Sequence, residues 1–112
     1  MELNVFERLL LRNIVPQIQG WNYANMKDAR ELLEGLFTEE EEKDLQFEQV
    51  ETQVKWKVKR EDESDIPQIR EFSVSNGLKA KIGKFLKQLD KEEKLGFEHM
   101  TLCDKFIEDD PS

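Results

Sequence analysis

One cysteine, Cys103, and one histidine, His99, are all this chain has of the side chains that most often carry thiol and metal chemistry. No intrachain disulfide can form, and a thiolate zinc site would find no second sulfur. Both facts suit a reducing compartment. No stretch approaches the roughly 18 uncharged apolar residues that span a bilayer. The longest apolar run, Leu9-Leu10-Leu11, lies between Arg8 and Arg12. A secretory signal puts positive charge before a longer apolar core, whereas Glu2 follows Met1 at once. A cytoplasmic, uncleaved protein is expected, with no membrane partner. A glycine-rich phosphate cradle, Gly-x-Ser-x-Gly and His-Glu-x-x-His are all missing from the sequence.

What is present is charge and periodicity. The 112 residues include 17 Lys and Arg against 25 Asp and Glu, a net charge of −8. Such an excess argues against general nucleic-acid binding, whose affinity comes from neutralising phosphates. Hydrophobic residues make up 38% of the chain. They recur in spaced sets, so one folded domain over residues 1–107 is expected, with a loose tail over 108–112.

The spacing predicts a helix over residues 3–15, its stripe formed by Leu3, Phe6, Leu10 and Ile14 with Val5, Leu9 and Leu11 beside it. Asn4 and Glu7 form a capping arrangement, and Pro16 ends the helix. Trp21 and Tyr23 are expected to cover the core. Asn25 reads as the N-cap of a second helix burying Met26, Ala29, Leu32, Leu33 and Leu36. Thr38 with Glu41 forms a capping box that starts a short helical turn.

The period then drops to 2. A hairpin turning at Glu51-Thr52 pairs Phe47 with Trp56 and Leu45 with Val58 on a buried face. The same register sets Glu48 opposite Lys55 and Asp44 opposite Lys59, so apolar and charge patterns agree. Residues 60–68 read as a mobile acidic loop. Arg70, Phe72 and Val74 alternate as a third strand. Ser75-Asn76-Gly77 leads into a helix striped by Leu78, Ile82, Phe85, Leu86 and Leu89, with Gly83 allowing close approach to a neighbour. A break within residues 90–96 precedes a last helix over 97–107 that buries Met100, Cys103, Phe106 and Ile107. The expected fold is α+β in the order α-α-β-β-β-α-α, a three-stranded antiparallel meander with helices on one face.

The succession Asn13-Ile14-Val15-Pro16, Gly20, Lys27 and Arg30 leads to LFTEEEEKDL at residues 36–45. With the VKW strand at 54–56 and LKQLDKEEKL…EHMTLCDKFIE at 86–108, it resembles a class of small proteins encoded in bacteriophages and prophages. The resemblance covers nearly the whole chain, departing near Trp21 and in the acidic segment before Pro67. It implies a genomic context, the cytoplasm of a bacterial host. That class has no established activity, so no functional residue follows from it.

His99 and Cys103 lie four apart on a helix and could face one metal ion, but two ligands do not make a zinc site. As nucleophile and base they would need a thiolate held by nearby positive charge, whereas Cys103 sits in an apolar stripe. The carboxylates of residues 39–42 and 61–65 read as solvated surface, since catalytic acids need burial and a calcium loop needs alternating ligands with a central glycine. Lys55, Lys57 and Lys59 could track a phosphate backbone, yet the register places carboxylates across from two of them. Glu31, Glu34 and the Glu39, Glu40, Glu41 and Glu42 run could form an acidic ridge imitating nucleic acid.

The expected function is therefore non-enzymatic: a small phage-type accessory protein that binds another protein, without cofactor or metal. The candidate contacts are Glu48, Lys55 and Lys57 on the hairpin and the ridge from Glu39 to Glu42. The alternatives are an acidic mimic of nucleic acid inhibiting a host DNA-binding or defence enzyme, and a minor structural component of the virion. The chain is expected to be a monomer or a homodimer.

Overall fold

A computed structural model of the chain describes residues 1–107, so the tail expected over 108–112 lies outside the described residues. Helix and strand are mixed, as an α+β fold requires, but the strands do not form one meander. They form two separate two-stranded antiparallel sheets.

The first sheet arises because the chain begins with a strand, β1 (Glu2–Asn4), where a helix stripe was expected to start. Leu3 is buried between the more exposed Glu2 and Asn4, a period of 2 too short to be separated from the helix that follows. Asn4 then caps α1 (Val5–Ile14): its side chain accepts the Glu7 N–H at 2.7 Å, and the Glu7 carboxylate accepts the Asn4 N–H at 2.9 Å. The helix stops before Pro16, and a 3-10 turn (Val15–Gln17) follows.

α2 (Tyr23–Gly35) has its N-cap three residues before the expected one. Asn22 is the N-cap, accepting the Asn25 N–H at 2.8 Å. Ala29, Leu32 and Leu36 are buried as expected, while Met26 and Tyr23 face solvent and Trp21 is half-buried against the core. Asn22 is as good an N-cap as Asn25, and capping there adds three residues to the helix. α3 (Glu39–Leu45) carries the expected capping box, Thr38 accepting the Glu41 N–H at 3.1 Å and Glu41 accepting the Thr38 N–H at 3.0 Å.

The second sheet is the hairpin of β2 (Glu48–Val50) and β3 (Gln53–Lys55). Its register is the expected one, Glu48 opposite Lys55, Gln49 opposite Val54 and Val50 opposite Gln53. The ladder ends there. Leu45 belongs to α3, and Val58 is exposed instead of facing it on a buried surface. Asp44 pairs with Arg60 at 3.1 Å, and Lys59 pairs with Asp65 at 3.8 Å. Across residues 60–68 the chain is tied by the Arg60 N–H to the Ser64 carbonyl and the Ile66 N–H to the Val58 carbonyl, with Ile66 buried beneath.

The expected third strand, β4 (Ile69–Glu71), pairs with β1 and not with the hairpin: Leu3 lies opposite Arg70 and Asn4 opposite Ile69. Phe72, just beyond it, is buried, whereas Val74 is half-buried outside the strand. α4 (Asn76–Lys91) is capped by Ser75 and buries Leu78, Ile82 and Leu86. Gly83 admits the last helix, since a Cβ there would fall 2.6 Å from the Phe106 carbonyl oxygen. That helix is shorter than expected, a 3-10 turn (Phe97–His99) followed by α5 (Met100–Phe106). Leu102 and Phe106 are its buried pair, four apart; Cys103 is half-buried and Met100 is exposed. The close seat of Phe106 on Gly83 fixes this rotation.

Two apolar clusters result. The larger joins Leu3, α1, α2, α4 and α5, and the smaller joins Val5, Leu45 and Ile66 under Phe47 and Trp56. Phe37 packs against both. Beside it Arg8 is fully buried, its guanidinium carbon 4.7 Å from the Phe37 ring centroid. The guanidinium donates to the Leu36 carbonyl at 3.0 Å, the Gln68 carbonyl at 3.2 Å and the Glu41 carboxylate at 2.6 Å.

Candidate functional site

Arg8 determines which side chains α1 leaves available. A helix turning 100° per residue that buries Val5, Arg8 and Leu11 must turn Phe6 outward, while Leu10, about 40° from the buried Ile14, reaches only the margin of the core. The expected stripe through Phe6 and Leu10 is therefore rotated: Phe6 is 40% exposed and Leu10 half-buried. These two, with Leu9, Arg12 and Asn13, form one wall of an open groove of about 910 Å³. Gln49, Thr52, Gln53, Val54 and Trp56 of the hairpin form the other, and Glu98 closes one corner.

Trp56 anchors the groove. Its ring stacks on Phe6 at 6.4 Å between centroids and 25° between planes. Its indole N–H donates to Gln68 Oε1 at 3.0 Å, and the Gln68 amide donates to the Ile66 carbonyl at 2.9 Å, which fixes the orientation of the ring. Trp56 was expected on a closed core face. It packs on the smaller cluster and against Phe6 of α1, but because the ladder has only three residue pairs it stays half-buried and borders solvent along one edge. Sequence reasoning missed this groove. The available signal was the Glu7-Arg8 pair, two charges that interrupt the apolar positions of α1 and are both fully buried.

The candidate contacts are divided between places. Glu48 and Lys55 are exposed and directly opposed, on the hairpin face away from Gln49 and Val54 and hence away from the groove. Lys57, also exposed, donates its backbone N–H to the Leu45 carbonyl at 2.7 Å, which ties the hairpin to α3. It lines a shallow hollow of about 380 Å³ with Lys43, Asp44, Gln46, Lys59, Arg60, Glu61 and Asp62. The charges there are mixed, so the lysine stripe offers no uniformly positive track.

Glu39, Glu40 and Glu42 are exposed on α3, whereas Glu41 turns inward to Arg8 and to Arg70 at 3.1 Å. Burial alone would raise the Glu41 carboxyl. The hydrogen bond from Arg8, the Thr38 N–H and the charges of Arg8 and Arg70 outweigh it and hold the group below its ordinary value of 4.5. Asp62 is also lowered, by the Ser64 hydroxyl and N–H.

His99 and Cys103 do line one small apolar hollow, of about 380 Å³, with Leu95, Gly96, Phe97, Met100 and Asp104. His99 Nδ1 is occupied, accepting the Gly96 N–H at 3.0 Å. Burial pushes the Cys103 thiol up, and the nearby Asp104 and Asp90 charges push it further. This is the reverse of what activates a nucleophilic cysteine. Among the described residues no group of three His, Cys, Asp or Glu side chains is placed to hold a metal ion, and no helix is long and apolar enough to cross a membrane. Comparison with protein-family models, curated proteins and solved structures finds no match to this chain.

Proposed function

We propose that the protein acts without catalysis, by binding another protein through the groove between α1 and the hairpin. The observation that carries this reading is the open apolar wall of Phe6, Leu10, Val54 and Trp56, oriented by a side-chain hydrogen bond and only partly covered. A pre-formed surface with an aromatic anchor and a polar margin of Arg12, Asn13, Gln49 and Glu98 is the usual anatomy of a protein-binding site. Glu48, Lys55 and Lys57 on the hairpin and Glu39, Glu40 and Glu42 on α3 supply charge around the contact, which governs encounter rate more than affinity.

The resemblance to small phage proteins supports a role as an accessory factor in a bacterial host cytoplasm. The nucleic-acid mimic is the weaker reading, because the inward turn of Glu41 interrupts the acidic ridge. The test is capture of the partner from phage-infected cells, followed by binding measurements with purified components. Phe6→Ser with Leu10→Ser should weaken the complex at least tenfold while the helical spectrum is kept, and affinity should change little with salt. Unchanged affinity in that variant, or turnover of any compound, would refute the reading. Affinity falling steeply with salt would favour the mimic instead.

A further inference from the structure

On the other side of Glu98 the chain exposes a second apolar surface. Phe97, in the 3-10 turn, is 91% exposed, and Met100, three residues on at the start of α5, is 56% exposed. Beneath them Leu95 and Cys103 floor the hollow described above. Neither exposed side chain is needed to hold α5 in place: Leu102 and Phe106 do that, with Lys105, whose ammonium donates to Glu7 at 2.7 Å and to the Glu2 carbonyl. A large aromatic and a methionine left side by side in water cost free energy unless something covers them.

Charge says what can cover them. Residues 90–104 contain Asp90, Glu92, Glu93, Glu98 and Asp104 against Lys91 and Lys94, and Lys94 lies 3.9 Å from Glu92. Asp104 lines the hollow, and Lys105 is drawn inward to Glu7, which leaves five carboxylates against two lysines in this segment. Such a margin repels anionic lipid and nucleic acid, and it repels the same face of a second copy.

We propose that the Phe97–Met100 face docks an amphipathic helix of a partner protein whose apolar ridge is flanked by lysine or arginine. The ridge sits on Phe97, Met100 and the Leu95–Cys103 floor, while the flanking cations meet Glu98 and Asp104. This is the helix-in-groove mode of recognition, with charge selecting the partner. It does not depend on the α1–hairpin groove, which it meets only at Glu98.

The test uses the full chain and three helical peptides of equal length: a leucine ridge flanked by lysines, the same ridge flanked by glutamates, and the lysine peptide with serines replacing its leucines. Binding is measured by calorimetry and mapped by amide chemical shifts. The leucine–lysine peptide should bind and shift residues 95–104, and the other two should bind at least tenfold more weakly. Phe97→Ser with Met100→Ser, and separately Glu98→Lys with Asp104→Lys, should each raise its Kd at least tenfold; all four side chains are exposed, so the fold should survive. Equal binding of the three peptides, an unchanged Kd in either variant, or shifts confined to other surfaces would overturn the proposal. So would Phe97-dependent binding to anionic vesicles or Phe97-dependent dimerisation.

Discussion

The guanidinium of Arg8 and the carboxylate of Glu41 meet at 2.6 Å across 33 residues of sequence, with the arginine side chain wholly withdrawn from solvent. A buried guanidinium is tolerated only when its donors are paired, and here carbonyls from Asn4, Leu36 and Gln68 accept as well. Arg8→Ala should therefore cost about 3–5 kcal/mol, since it strands those acceptors and opens the junction between the two clusters. Arg8→Lys should not restore the loss, because the donors of Arg8 are spread over three nitrogens and a lysine carries all of its donors on one. Urea unfolding of both variants and of Arg8→Ala with Glu41→Ala checks this; the double variant should lose less than the sum of the singles.

The same contact sets an acid limit. Glu41 is held below 4.5 in the folded chain, so its contribution to stability is complete above that pH and is lost as pH falls through the folded value. The unfolding midpoint of the wild type should drop steeply below about pH 4.5. Glu41→Gln should be less stable near neutrality and have a shallower acid slope. A slope identical to the wild type would mean that other carboxylates dominate.

Two helix glycines should respond in opposite ways to alanine. At Gly35, near the end of α2, nothing lies within 4 Å of the added Cβ, so Gly35→Ala should stabilise by about 0.5–1 kcal/mol through reduced chain entropy and better helix propensity. At Gly83 the Cβ would fall 2.6 Å from a backbone oxygen of Phe106, which cannot rotate away. Gly83→Ala should destabilise by about 1–3 kcal/mol and loosen α5 first. Thermal melts with hydrogen exchange at residues 100–107 distinguish the two.

Cys103 should behave as a packing residue. With its thiol pushed up by burial and by Asp104 and Asp90, it should react with a thiol reagent at neutral pH more slowly than a free cysteine does. Cys103→Ser should retain partner binding at the α1–hairpin groove, which the thiol does not line. Fast labelling, or loss of function in the serine variant, would return the thiol to consideration as a reactive group.

Local order was legible from the residues alone. The capping boxes at Asn4 and Thr38, the stop before Pro16, the Glu48–Lys55 register and the role of Gly83 depend on neighbours close in sequence or on a simple period. Sequence thus determined most elements and the α+β character, because caps, turns and periodicity act over a few residues. Tertiary structure decided which strands pair and which helix faces are buried. β4 joins β1 across the whole α1–β3 segment, a contact that no local pattern encodes. Burial of Arg8 rotates α1 and uncovers Phe6, and the seat of Phe106 on Gly83 rotates α5 and uncovers Met100. In both helices the apolar positions exceed what one face can bury, so packing against distant segments selects the side chains that remain for a partner.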